Sequence, residues 1–176
     1  MSELRTNRIV PRDGLPSGSS GGIIQVKSTT MTTTASYSIS GMTWTEVTPL
    51  TTSITPTRND SKILIMLTMG GLESNGSNQR LGMALRRNSS NIAVNSDSSG
   101  QTSATWAGAG TNANEIKNHP VFNHLDSPGT TSAVTYRVMI TTEGSYTMYV
   151  NRSSGDSGSS SVFRTASSLT LMEISG

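Results

Sequence analysis

The chain has 176 residues, a formal net charge of +2 and no cysteine, with 32% apolar, 14% charged and 5% aromatic residues. Without thiols there is no disulfide and no thiolate metal site, so redox compartment has no hold on its stability. The length suits one domain with appendages, and the apolar supply is thin for a lone monomer.

Serine and threonine together make up close to a third of the residues. A Ser/Thr-rich, charge-poor chain favours short strands, tight turns and association between copies that share burial. The basic excess is scattered, with Arg80, Arg86 and Arg87 the nearest thing to a patch. Nucleic-acid binding calls for a concentrated basic stripe with stacking aromatics, so no nucleic-acid partner is expected. The longest apolar run, Ile63 to Leu67, is far short of the roughly 20 residues of a spanning helix, so no membrane insertion is expected. The first residues lack the apolar core of a secretory signal, which suggests a product made in a cytoplasm.

Residues 1–22 carry Arg5, Arg8 and Arg12, Pro11 and Pro16, and Gly14, Gly18, Gly21 and Gly22, with few large apolar side chains. No period of 2 or 3.6 runs through them. Such a segment buries too little alone to offset its chain entropy, so it reads as an extended N-terminal arm ordered by a partner. The domain is expected to occupy 23–176.

The remaining periodic stretches are strand-like. Ile23 to Lys27 opens the domain, Thr43 to Val47 alternates around Trp44, and Leu50 to Thr55 stops at Pro56. Lys62 to Met69 is a near-continuous apolar run, which predicts burial on both faces. Gln79 to Arg87 sets Leu81, Met83 and Leu85 against Arg80, Gly82, Ala84 and Arg86. Ile92 to Val94, Thr102 to Trp106 and Val121 to Leu125 are short candidates, and Gly108 to Asn114 reads as a loop. Ala133 to Thr141 alternates, Glu143-Gly144 signals a hairpin turn, and Ser145 to Asn151 runs back. Ser153 to Ser161 reads as a flexible loop. Ser168 to Ile174 closes the chain, with Leu169, Leu171 and Glu173 on one side. Eight to ten strands at this spacing, with no credible helix, predict an all-β fold: one jelly-roll-like β-sandwich preceded by the arm.

Catalytic motifs are sparse. Gly155-Asp156-Ser157-Gly158 spells the tetrapeptide around the nucleophile of chymotrypsin-like proteases, but it lies in a Ser/Gly tract. That mechanism needs a histidine base and an orienting aspartate, and neither His119 nor His124 sits in a fitting motif. Five residues apart on a strand, the two histidines point to opposite faces and share no metal within one chain. Asp97, Asp126, Glu143 and Glu173 show no paired-carboxylate spacing. No catalytic residue, cofactor or metal site is assigned. Asn75, Asn88 and Asn151 match glycosylation acceptors, which are cheap matches in an Asn/Ser-rich chain. Of the two tryptophans, Trp44 in its alternating strand is expected in the core. Trp106, beside small residues, is the better candidate for a surface ligand contact such as sugar.

Thr6-Asn7-Arg8-Ile9-Val10-Pro11-Arg12-Asp13-Gly14-Leu15-Pro16, running into Gly21-Gly22-Ile23-Ile24-Gln25, resembles the start of small virion proteins of tailed bacteriophages, especially marine and cyanobacterial ones. Ile54-Thr55-Pro56 with Ser61 to Ile65, Leu125-Asp126-Ser127-Pro128 with Thr135-Tyr136, and the ending Leu169 to Ile174 resemble them too. The resemblance implies a non-enzymatic virion part, a tail fibre or tip or a capsid decoration, assembled in the host cytoplasm. It implies a homotrimer that docks on other virion proteins through residues 1–22 and displays its β-domain outward, where a host surface glycan or protein is the expected contact. Arg5, Asn7, Arg8, Ile9, Pro11, Arg12 and Leu15 are the candidate docking residues. A free carbohydrate-binding β-sandwich module, monomeric and independent of the arm, is the alternative.

Overall fold

The computed structural model describes residues 22–97, 99–112 and 114–176. The candidate docking residues Arg5, Asn7, Arg8, Ile9, Pro11, Arg12 and Leu15 lie outside the described residues.

Among the described residues all regular structure is β. The strands are β1 (Ile23–Met31), β2 (Ala35–Ile39), β3 (Thr45–Ile54), β4 (Lys62–Thr68), β5 (Leu72–Ser74), β6 (Arg80–Arg87), β7 (Ser90–Ile92), β8 (Trp106–Ala109), β9 (Val121–Asp126), β10 (Val134–Thr142), β11 (Tyr146–Val150) and β12 (Ser167–Ile174). One large sheet has the order β1-β12-β4-β9. The other has the order β3-β10-β6, with β7 and β8 pairing successive halves of β6 along its far edge. Every pairing is antiparallel. Set β7 aside, and the eight strands of these sheets interleave as first, eighth, third, sixth against second, seventh, fourth, fifth. That order is a double Greek key, so the expected jelly roll is what forms. The third sheet, β2-β11-β5, is built from the connections between the large ones.

The core lies between the two large sheets. Ile63, Ile65 and Leu67 of β4 and Leu169 and Leu171 of β12 face Leu81, Met83 and Leu85 of β6 and Val134, Tyr136, Val138 and Ile140 of β10, all buried. Burying each such side chain contributes about 1.5–3 kcal/mol. Period-2 alternation places every one of them on the inner face.

Several expectations need correction. β4 is buried on one face only, because Met66 is 40% exposed and Lys62 and Thr68 are exposed. Its apolar outward residues are an unpaired surface, not a second core. The stretches around Trp44 and Leu50 form one strand, β3, whose register against β10 shifts between Arg137 and Met139. Pro49 sits in that bulge on an edge strand, where its missing N–H costs no ladder bond. Glu143-Gly144 turns the chain but makes no hairpin, because β11 pairs with β2 and β5 while β10 pairs with β3 and β6. The Ser153 to Ser161 loop is tied down: Asp156 holds Arg164 Nε at 2.7 Å and Arg152 Nε at 3.7 Å.

Candidate functional site

The outward faces of the two large sheets differ in chemistry. On the four-stranded sheet, Val26, Met172, Leu64 and Leu125 stand directly opposite one another across β1, β12, β4 and β9. Ile23 and Ile174 pair beside this row, and Met66 and Val121 flank it. Val26 is 51% exposed, Leu125 48%, Val121 60% and Ile23 57%. The other residues paired on this face are Ser28, Thr30, Asn123, Ser168, Thr170, Thr68 and Lys62, so Lys62 carries the face's one charge among them. An apolar row with a single charge at the end of its face is costly to leave in water and offers a charged partner little to select.

The five-stranded sheet presents charge and an aromatic ring. Trp44 precedes Thr45, the partner of the buried Ile140, so its side chain falls on the outward side with Thr141. Thr141 pairs with Gly82, and Gly82 with Ala107. This row of one large side chain, two small ones and a glycine borders a cleft of about 420 Å³. Gly82 keeps it open: a Cβ there would lie 3.0 Å from Thr141 Cγ2 and 3.4 Å from Trp44 Cη2. A glycine inside a strand marks such a close approach. The rim is polar at one end. Arg80 Nη1 donates to Glu143 Oε2 at 2.6 Å, and the Arg80 amide donates to Glu143 Oε1 at 3.1 Å. The guanidinium is otherwise open, with the Arg80 side chain 85% exposed. Gln101 and Thr102 form the facing wall. Met42 forms part of the rim with φ of 61°, a left-handed conformation that costs a non-glycine residue about 1–2 kcal/mol.

Thr141, in the floor, is 3% exposed, and its Oγ1 is sealed from the cleft without a hydrogen-bond partner. A buried hydroxyl without a partner loses its hydration for no return, about 1–3 kcal/mol.

Trp44 departs from its expected place in the core. Trp44 is outside the core and walls the cleft. Trp106 pairs with Met83 and packs half-buried against the core, and it also edges a shallower depression beside Asp97 and Ser103. His119 precedes β9, with Nδ1 2.6 Å from the Gly70 carbonyl oxygen, and His124 stacks on Phe122 at 6.4 Å between centroids. Among the described residues no group of three or more metal-ligating side chains comes together. The carboxylates singled out in the sequence are taken by separate partners: Asp97 by Ser99, Asp126 by Tyr136 and Arg87, Glu173 by Gln25 and Thr57, Glu143 by Arg80. Asp156 of the protease-like string accepts from Gly158 N and holds Arg164, an Asx-type turn on a surface loop. Asn151 is fully buried, its amide donating to the Met31 and Thr33 carbonyls, so it offers no acceptor for a glycan.

The residues of the cleft that sequence reading passed over are Gly82, Thr141 and Glu143. A lone glycine in an otherwise regular β6 pattern was the available signal.

No protein-family model matches this sequence, and no curated protein matches it. Among solved structures, a chain in the structure of infectious bursal disease virus, Gx strain, is similar with a TM-score of 0.36 and 11% identity. That match covers 97% of this chain and 43% of the viral chain, so this chain spans less than half the viral chain's length.

Proposed function

We propose that this chain is a non-enzymatic structural protein of a tailed-bacteriophage virion, a tail fibre or tip or a capsid decoration. It associates as a homotrimer, docks on neighbouring virion proteins through residues 1–22 and displays the jelly roll outward toward a host surface. The observation that carries the reading is the uncharged apolar row Val26–Met172–Leu64–Leu125 on the outward face of the four-stranded sheet. Three copies that turn this face toward a common three-fold axis cover apolar surface that one copy leaves in water. The Ser/Thr ladders around the row suit close approach between copies, because their hydroxyls serve both as donors and acceptors.

The first residue of β1, Ile23, lies on this same face. A docking arm that enters at Ile23 thus starts beside the association surface, and the opposite sheet, with its cleft, is left free to face outward.

Sedimentation velocity of the full chain at micromolar concentration tests the association, with a trimer expected. A stable monomer would overturn it and favour a free carbohydrate-binding module. Deleting residues 2–20 tests the arm: the truncated chain is expected to stay trimeric and to lose its place on particles. Normal incorporation of the truncated chain would overturn the docking role.

A further inference from the structure

We infer that the Trp44 cleft is a saccharide site that takes one pyranose ring, stacked on the indole and anchored by Arg80 and Glu143. This deepens the proposed display of the domain toward a host surface and rests on that reading only for the outward placement of the five-stranded sheet. Four features of the cleft converge on a sugar. The first is the pairing of an aromatic wall with a small-residue floor: Trp44 stands beside Gly82 and Ala107, leaving a slot rather than a filled surface. A pyranose carries a face of C–H bonds that packs on an electron-rich ring, and indole is the largest such ring available to a protein.

The second feature is the Arg80–Glu143 pair at the rim. A guanidinium with free N–H groups and a carboxylate with a free lone pair, held 2.6 Å apart, present a donor and an acceptor side by side. Vicinal hydroxyls on a sugar ring offer the matching acceptor and donor. A purely apolar ligand would leave both groups unmatched, and an anion would be repelled by Glu143.

The third is the further polar lining, Gln101 and Thr102. A side-chain amide and a hydroxyl offer ring hydroxyls donors and acceptors beyond the Arg80–Glu143 pair. The fourth is size: about 420 Å³ lies within the roughly 300–1,000 Å³ range of small-ligand sites, at its low end, which suits one ring with its neighbours outside. Binding by one ring is weak, and the proposed trimer makes it useful by presenting three clefts at once.

The test uses the full chain, titrated with the methyl glycosides of glucose, galactose, mannose and N-acetylglucosamine. Ligand-observed saturation-transfer NMR and intrinsic tryptophan fluorescence follow binding. The expected result is saturable binding of at least one glycoside with a dissociation constant on the order of 1 mM, accompanied by a fluorescence shift. Trp44→Ala is expected to weaken it at least tenfold, Gly82→Val to abolish it by filling the slot, and Ser53→Ala, on the same sheet away from the cleft, to leave it unchanged. Glu143→Gln keeps the turn's size and tests the rim without risking the fold. The inference is overturned if none of the four glycosides binds, if phenol binds in their place, or if Trp44→Ala binds as tightly as the parent. Sedimentation of the same samples separates the two readings. A trimer that binds no glycoside sinks the cleft alone, while a monomer that binds one sinks the assembly and keeps the cleft.

Discussion

Tyr136 on β10 donates its phenol O–H to Asp126 Oδ2 on β9 at 2.7 Å, joining the two large sheets through the core. Arg87 Nη1 reaches the same carboxylate at 2.8 and 3.0 Å. Tyr136 is fully buried and Asp126 is 7% exposed, so neither falls back on water when its partner is removed. Tyr136→Phe keeps the ring and deletes one hydrogen bond to a charged group, an expected loss of about 1.5–3 kcal/mol in urea denaturation. Asp126→Ala strands the buried phenol and also removes the ion pair of the 30% exposed Arg87, so it is expected to cost more than Tyr136→Phe. An Asp126→Ala variant no less stable than Tyr136→Phe would show that the carboxylate does not organise this cluster. Burial, then the hydrogen bond and negative charge of Asp126, push the Tyr136 pKa far above its ordinary 10.0. The folded chain keeps that proton where the unfolded chain sheds it, so this contribution to stability declines as pH rises above about 10. Tyr136→Phe should flatten that alkaline slope.

Glu173 sets the acid side. It lies buried in the inward row of β12 and accepts from the Thr57 amide at 2.7 Å, Thr57 Oγ1 at 2.8 Å and Gln25 Nε2 at 2.6 Å. Burial by itself raises its pKa, but the hydrogen bonds from Gln25 and Thr57 outweigh it and hold the carboxyl below its ordinary 4.5. Below that value the unfolded chain binds the proton more readily than the folded one. The stabilisation is therefore complete above about pH 4.5 and is lost as pH falls through the lower folded value. Asp60, held low by its hydrogen bond from Arg58, and Asp156, held low by that from Arg164, add to the same slope. Glu173→Gln should shallow the acid limb of a melting-temperature profile between pH 3 and 5, measured against the parent. An unchanged limb would assign acid lability elsewhere.

Glu73 on β5 holds the segment between β8 and β9. Its carboxylate accepts from the Lys117 amide at 2.7 Å, the Asn118 amide at 3.2 Å, Asn118 Nδ2 at 2.9 Å and Thr111 Oγ1 at 3.0 Å. These donors come from a segment with little regular structure, so one buried carboxylate replaces a strand ladder. Glu73→Ala leaves several of those donors without a partner and is expected to cost about 2–4 kcal/mol. Amide exchange at Lys117 and Asn118 should accelerate more than exchange in β12. Uniform acceleration across the chain would mean that Glu73 supports global stability rather than this segment.

Period-2 alternation made most of the jelly roll legible in the sequence. It places Leu81, Met83 and Leu85, and Leu169, Leu171 and Glu173, on inward faces, where the structure has them. What stayed illegible depends on partners distant in the chain. β2 and β5 are short and become strands only because β11 lies between them. The apolar run in β4 reads the same whether its second face meets a core or a surface, so Leu64 and Met66 were indistinguishable from Ile63 and Ile65 until the sheet order was known. The cleft assembles from β3, β6, β8 and β10 at separations that no local window spans. From sequence Trp44 reads as core because it lies just before β3, where alternation is too short to fix a face.

The outward row of the four-stranded sheet yields the last prediction. Leu64 and Met172 stand opposite each other in the middle of that face, on β4 and β12. Both strands have paired neighbours on either side, so an outward substitution there leaves the ladder intact. Leu64→Glu places a charge where an associating copy would have to desolvate it. Losing one buried leucine costs an interface about 1.5–3 kcal/mol per copy, and burying an unpaired carboxylate costs several more. The variant should fold with a circular dichroism spectrum like the parent's and sediment as a monomer at concentrations where the parent is trimeric. Ser53→Asp, an exposed change on the other large sheet, should leave the trimer in place. If Leu64→Glu remained trimeric, the association would have to use another surface, and the apolar row would need a different occupant. If Ser53→Asp instead broke the trimer, the five-stranded sheet would be the buried one and the Trp44 cleft would be closed to a host glycan.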